Sequence, residues 1–417
     1  MRFTKVVAVV TGLMLLVASH VALAQTELTW YYCCAQKERA DLFNSWAREF
    51  EKLNPGVKVN ALYPATDGGV YYDKISVSIA SDMAPDIFWA GMKLWNYADM
   101  LLPLDDLFET DPMIGDIVPV MVDNHRWQGN VIAIPFGVNV HAFYYNKNMF
   151  AEAGVKMPKD WTWTEAIDMG KKMTYDKDGD GKLDRWGLAF TERLHSVTYG
   201  GDFYSRDMRK VLLNNPITIA GMQFTSDLMS GKYNAYYNAT GTTSRVAFTN
   251  GTVGAHTYGA FDLVRLTNEL RFDWDVAMFP KLEVDNKYYR SAFFSPEAWC
   301  AYAGTKHPDL VKKFLKFIMQ KEKMIAFGNL GAIVPTQRSV AVRSFLTLSK
   351  PANIKAFSDS LLVYKKTDRE HPAMLDISSL PTFQTIINGQ MPAATGVPEL
   401  AQQMQTLLDE FWAKHDK

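Results

Sequence analysis

One short unit near the start constrains the fold more than any other feature. Leu28-Thr29-Trp30-Tyr31-Tyr32 is β-branched and aromatic and predicts a strand. Leu42, Phe43, Trp46, Phe50 and Leu53 then recur at helical spacing on one face. Asn54-Pro55-Gly56 is a helix stop, and Val57-Lys58-Val59 opens a second strand. A strand, a helix and a strand in this order imply two parallel strands with the helix packed across them. The pattern continues with a helix over Asp73–Ala80, a stop near Met83-Ala84-Pro85 and a third strand, Asp86–Ala90. In such α/β sheets ligands bind beyond the carboxyl ends of strands. Cys33–Gln36 and Gly91–Trp95 are therefore site candidates on topology alone.

The stretch Trp127–Gly154 has a different character. Two apolar runs of strand type, Val131–Pro135 and Ala142–Tyr145, are joined by a Pro-Phe-Gly-Val-Asn step, and a helix opens at Asn148. Pro135 biases Ile134 towards extended backbone, and Gly137 permits angles that other residues avoid. The residues alone fit either a crossing between structural units or an ordinary strand break. Further on, helices are expected over Trp163–Met173, Ile217–Met229, Asp309–Phe327 and from Val397. Phe248–Tyr258 and Trp274–Pro280 bracket another helix–strand exchange, and Ala298–Ala303 is an apolar strand. No internal repeat interrupts this order, and the class is α/β.

A chain of 417 residues that is 48% hydrophobic and 21% charged is globular and too long for one core, so two domains are expected. Residues 1–24 are expected to be a signal peptide: Arg2 and Lys5 precede the apolar run Val6–Ala18, and Ala22-Leu23-Ala24 offers a cleavage site before Gln25. Cleavage removes two cations and takes the net charge from −1 to −3. No basic block remains, so nucleic acid is not an expected partner. An exported, periplasmic protein without a lipid anchor is the simplest reading. Three cysteines, Cys33, Cys34 and Cys300, leave at least one thiol free or paired between chains. Export permits a bridge from Cys300 to Cys33 or Cys34, and buried thiols are the alternative.

Enzyme signatures are absent: there is no Gly-x-Ser-x-Gly elbow, Walker loop or His-Glu-x-x-His pair. Phe, Trp and Tyr make up 13% of the chain, and several stand at strand ends, including Tyr31, Tyr32, Trp89, Trp95, Tyr258 and Phe261. Aromatic faces with neighbouring polar groups suit small polar ligands such as sugars. The loop Asp176–Asp184 carries calcium-type spacing. Asp176, Asp178 and Asp180 stand at positions 1, 3 and 5, Gly181 at 6, Lys182 at 7 through its carbonyl, and Asp184 at 9. Position 12 is Gly187 instead of the bidentate glutamate. A structural Ca2+ and a solvated acidic turn both fit, and no catalytic metal is expected.

Several segments, taken in order, resemble the extracytoplasmic solute-binding proteins of ABC importers, in the carbohydrate-binding group that includes maltose-binding protein. They are Phe50–Val59, Ser78–Ala90, Leu101–Phe108, Gly129–Gly154, Trp161–Ala166, Phe248–His256, Phe272–Pro280 and Gly331–Pro335. The resemblance implies a periplasmic binding protein fold of type II, two α/β lobes closing on a ligand between them. The lobes would comprise 25–136 with 281–328, and 137–280 with 329–417, crossing at Pro135–Asn139, Val276–Pro280 and Gly328–Gly331. It also implies a monomer that delivers a sugar or oligosaccharide to a membrane permease. Position by position, it points to Tyr32, Cys34, Gln36, Tyr72, Trp89, Met92, Lys93, Asn139, Tyr258 and Phe261, and more weakly to Arg290, Ser295 and Glu297. Family carboxylates become Met92 and Asn139 here, which argues against maltose itself. A phosphorylated polyol is the alternative ligand, motivated by Lys93 and Arg290. A secreted glycoside-processing enzyme is a remoter one.

Overall fold

The computed structural model describes residues 25–33, 37–64, 68–91, 93–189, 203–205, 207–233, 235–236, 241–290, 292–363, 377 and 380–416. The signal-peptide segment therefore lies outside the described residues. The opening unit folds as its pattern implies. β1 (Thr26–Tyr31) and β2 (Val57–Leu62) pair in parallel, connected by the helix Lys37–Leu53, whose Phe43, Trp46 and Phe50 are buried. β3 (Ile87–Ala90) adds in parallel on the other side of β1. A short hairpin, β4 (Arg126–Trp127) with β5 (Asn130–Val131), leads into β6 (Ile134–Asn146).

β6 departs from the two-run reading. It is one unbroken strand of 13 residues, buried almost throughout, and the Pro-Phe-Gly-Val-Asn step lies inside it. The step changes β6's partners instead of breaking it. Its first half pairs antiparallel with β12 (Phe294–Ala301) and β13 (Val334–Pro335). Its second half pairs with β8 (Val253–Gly259) and β9 (Trp274–Ala277), and β7 (Trp186–Ala189) lies parallel to β8. Pro135 is tolerated because its lost donor falls at a register irregularity opposite Glu297 and Ala298. The nine strands thus form one mixed sheet in two halves, ordered β2-β1-β3-β12-β6-β8-β7, with β6 running through both. A separate hairpin, β10 (Leu282–Val284) with β11 (Lys287–Tyr289), completes the strands.

The single helix expected over Asp309–Phe327 is two, Pro308–Ile318 and Lys321–Asn329. The break has a partner: the Met319 carbonyl, released from helical bonding, accepts from the buried Gln337 side chain at 2.9 Å. The last helix, Ala393–His415, packs through Val397, Leu400, Met404 and Leu408 and carries Pro398 in its second turn. No described helix is long and apolar enough to cross a membrane. Cys300 is a free, fully buried thiol whose pKa is pushed well up by burial, so the bridge from it to Cys33 or Cys34 is not made. Cys33 is disulfide-bonded, and Cys34 lies outside the described residues.

Candidate functional site

The strand directions define a cleft. β3 runs towards the middle of β6 from one half of the sheet, and β8 runs towards it from the other. Through β12, Ala90 at the end of β3 lies level with Pro135, whereas Gly259 at the end of β8 pairs with His141. Those positions are six residues apart on β6, about 20 Å at ~3.3 Å per residue. Two carboxyl ends therefore face each other across a gap the length of a few sugar rings.

On the β3 side, Trp89 and Tyr72 stack at 5.4 Å between centroids and 26° between planes. The Tyr72 hydroxyl accepts a hydrogen bond from the Gly91 amide at 3.0 Å, which locks the pair to the strand end. Gly91 must be glycine here, because a Cβ would stand 2.8 Å from the Trp89 ring and 2.9 Å from the Tyr72 hydroxyl. Lys93 Nζ lies 5.3 Å from the Tyr72 ring centroid, within cation–π range. On the β8 side, Tyr258 and Phe261 have centroids 4.9 Å apart. Asn139 Oδ1 accepts from the Phe261 amide at 3.2 Å, tying the loop after β8 to the centre of β6. A Cβ on Gly259 would stand 2.5 Å from that same Asn139 oxygen. The Tyr258 phenol has its pKa raised, chiefly by burial, and accepts from the Arg245 side chain.

The structure thus brings together Tyr72, Trp89 and Lys93 on one wall and Asn139, Tyr258 and Phe261 on the other. Cys34, Gln36 and Met92 lie outside the described residues. Three expectations are corrected. Tyr32 is a core residue, 1% exposed, stacked on Tyr63 and packed edge-on against Phe43. Glu297 is not open to a ligand, because its carboxylate forms a buried ion pair with Arg39 at 2.5 Å. Arg290 is held at 2.5 Å by Asp160 and packs beside Trp161 and Met278, so it does not serve the cleft. Strand-end position alone cannot tell a core aromatic from a cleft aromatic, nor a paired charge from a free one.

Arg245 was not legible in the sequence. It lies on the helix Gly241–Thr249, and its meeting with Tyr258 depends on how that helix packs on β8. Nearby, His141 and His256 are both held down to about 3, by burial first. The neighbouring His256 adds to the effect on His141, and Arg245 and Arg265 add to that on His256.

In the acidic loop, oxygens of Asp176, Asp178 and Asp184 converge within 4.8 Å of one another. Asp180 is not part of that group, and its carboxylate accepts from the Lys182 amide at 2.8 Å. Gly187 cannot be the missing glutamate for a steric reason: a Cβ there would stand 2.1 Å from the Gly170 carbonyl oxygen.

A further cavity of about 800 Å³ lies between the β4–β5 hairpin and the end of the last helix, lined by Arg126, Trp127, Arg209, Trp412 and His415 among others. Its basic groups all have carboxylate partners: Arg126 pairs with Asp123 and with Asp105 outside the lining, Arg209 with Asp416, and His415 with Asp99, also outside it. Trp127 and Trp412 stack at 5.4 Å. This is a clasp across the two halves, not an open ligand site.

Residues 36–325, more than half of the chain, match the family model described as bacterial extracellular solute-binding protein. The maltotriose-binding protein of Pyrococcus abyssi is 23% identical over 307 residues, which make up 70% of this chain and 62% of that protein. The match thus spans less than two thirds of that relative's length. An ABC substrate-binding protein of Listeria monocytogenes in complex with cycloalternan has a TM-score of 0.75 at 20% identity, covering 92% of this chain and 99% of that one. The maltose/maltodextrin-binding domain of Bdellovibrio bacteriovorus bound to maltotriose has a TM-score of 0.71 at 18% identity, covering 93% and 100%. At these identities the likeness establishes a shared two-lobed α/β fold.

Proposed function

The chain belongs to the bacterial extracellular solute-binding protein family, and from that premise we propose that it is the binding component of an ABC importer for a sugar or oligosaccharide. One observation carries the reading: two aromatic pairs, Tyr72–Trp89 and Tyr258–Phe261, stand at strand ends that face each other across the middle of β6. Ring faces cover the apolar faces of a sugar, while Asn139 and Lys93 supply polar contacts to its hydroxyls. A ligand touching both walls stabilises the closed form by the contacts that the open form lacks. That closed form is what the partner permease would recognise.

The same reading makes residues 1–24 a cleaved signal peptide, and the mature chain a periplasmic monomer that binds its ligand without chemical conversion. The lobes are those drawn from the sequence, with two boundaries moved: residues 334–339 go with the first lobe, because β13 pairs with the first half of β6 and Gln337 and Ser339 bond Met113, Met319 and Asp116. Lys281 pairs with Asp160, and β10 packs on the helix Pro216–Met229, so residues 281–290 go with the second lobe. The loop Asp176–Asp184 would hold a structural Ca2+, supported by the convergence of three hard carboxylate ligands. The phosphorylated-polyol alternative loses one of its two motivating cations, because Arg290 is paired.

A thermal-shift and tryptophan-fluorescence screen of mono- and oligosaccharides tests the main reading. We expect at least one sugar to raise the melting temperature and change the emission. Silence across all sugars alongside a shift with another solute class would overturn it.

A further inference from the structure

We propose that the ligand is a saccharide bearing an oxyanion substituent, a carboxylate or a phosphate ester, which Arg245 reads from one wall of the cleft and Lys93 supports from the other. This rests on the saccharide reading above and narrows its substrate class.

Among the described arginines that are not fully exposed, most are paired with a carboxylate. Arg39 pairs with Glu297, Arg126 with Asp105 and Asp123, Arg209 with Asp416, Arg265 with Asp262 and Glu269, and Arg290 with Asp160. Among the described residues Arg185 has no carboxylate partner and donates to the Gly251 carbonyl, and Arg271, Arg338 and Arg343, also without one, are exposed to solvent. Arg245 has no carboxylate within 4.0 Å among the described residues. Its contact is the neutral Tyr258 phenol, and its Nε is buried without a hydrogen-bond partner. Partial burial strips water from a guanidinium, and an uncompensated charge in such a place is costly unless something else supplies the anion.

Among the described residues, the surroundings do not supply it. The nearby acid, Asp262, is already taken by Arg265. His256, which feels the Arg245 charge, is held neutral at about 3 and offers no negative group. On the facing wall, Lys93 repeats the pattern: it lies over the Tyr72 ring, with no carboxylate within 4.0 Å among the described residues. Each wall therefore presents an aromatic pair, stacked for Tyr72–Trp89 and tilted at 53° for Tyr258–Phe261, beside one cation without a carboxylate partner. A neutral sugar would use the rings and offer hydroxyls to these cations, but no negative charge to balance either of them. A carboxylate or phosphate gains charge-assisted hydrogen bonds from a guanidinium's planar fork, and the aromatic pairs still take the ring faces.

The test uses the mature full chain and ligands matched except for charge. Digalacturonate is compared with the neutral digalactoside, and glucose 6-phosphate with glucose, by calorimetry at low and at physiological salt. We expect one anionic member to bind at least about tenfold more tightly than its neutral counterpart, with the preference shrinking as salt rises. The arm that responds identifies carboxylate or phosphate as the group read. Arg245→Gln should abolish the preference and leave the weaker binding of the neutral sugar in place. If that variant melts much earlier than the parent, Lys93→Gln is compared instead, with a larger loss of affinity expected for the anionic member than for the neutral one. Equal or tighter binding of the neutral members overturns the inference and leaves the sugar reading standing. An equal loss for both members in Arg245→Gln also overturns it, since the residue would then merely position Tyr258. Failure of every saccharide, charged or neutral, removes the sugar reading as well.

Discussion

Replacing Glu297 should unfold the protein more easily without touching recognition. The Arg39 guanidinium and Glu297 carboxylate meet at 2.5 Å with side chains only 7% and 10% exposed. The guanidinium also lies 5.4 Å from the Phe43 centroid, 5.9 Å from that of Phe136 and 5.6 Å from that of Phe327. In Glu297→Gln the carboxylate charge goes and the shape stays, so Arg39 keeps its aromatic neighbours but loses its counter-ion. Removing one partner of a buried pair costs about 3–5 kcal/mol. The cation–π contacts, at roughly 0.5–2 kcal/mol each, soften that loss, so we place it near 3 kcal/mol. With a urea slope of ~3 kcal/mol/M the unfolding midpoint falls by about 1 M. Replacing both partners together, Arg39→Met with Glu297→Leu, should recover most of the loss, because no uncompensated charge remains. Sugar affinity, measured by calorimetry well below the midpoint, should be unchanged in both variants. A midpoint within error of the parent, or weaker ligand binding at parental stability, would refute the argument and return Glu297 to the cleft.

Three further outcomes follow from the same geometry. Gly91→Ala should weaken sugar binding by about tenfold or more and cost ~1–3 kcal/mol of stability, because its Cβ overlaps the Trp89 and Tyr72 side chains; an unaltered isotherm would show that this pair does not touch ligand. His141 and His256 are held at about 3 in the fold against ~6.5 when unfolded, so the unfolded chain binds more protons between those values. Their contribution is complete above pH ~6.5 and is lost as pH falls towards 3, at up to about 1.4 kcal/mol per pH unit for each histidine. Urea midpoints at pH 7 and pH 5 should converge in His256→Gln relative to the parent, and parallel profiles would contradict this. Titrating chelator-treated protein with calcium should release heat and raise the melting temperature, with Asp178→Asn abolishing both; no heat in the parent would sink the site.

Local pattern carried most of the architecture and little of the site. The parallel pairing of β1 with β2 follows from a strand, an amphipathic helix and a strand, because nothing else buries Phe43, Trp46 and Phe50 together. The helix break at Met319 was hidden, since its cause is a bond from Gln337, 18 residues further on. Trp89 and Tyr258 were legible as strand-end aromatics. Tyr32 carried the same signal and proved to be core, because Tyr63 and Phe43 close over it. Arg290 and Glu297 failed for one reason: the partners that neutralise them, Asp160 and Arg39, lie 130 and 258 residues away in sequence. Charge pairing over such distances has no local signature, and the same blindness concealed Arg245.

The unbroken course of β6 sharpens what closure requires. A loop hinge would let the halves move freely, whereas a strand paired along its whole length bends only where its partners change. That change falls between Val140, the last residue paired with β12, and His141, the first paired with β8. Asn139 sits beside this point and holds the loop that carries Phe261. Gly137, two residues before it, is pressed by Ile333, which would lie 2.6 Å from a Cβ there. Bending at the partner change would therefore be expected to shift the Phe261 wall through Asn139, with Gly137 held against Ile333 in the other half. If the lobes close on a ligand as proposed, the Asn139–Phe261 hydrogen bond would couple recognition to closure. Its removal in Asn139→Ala should lower ligand affinity even though Phe261 itself is intact.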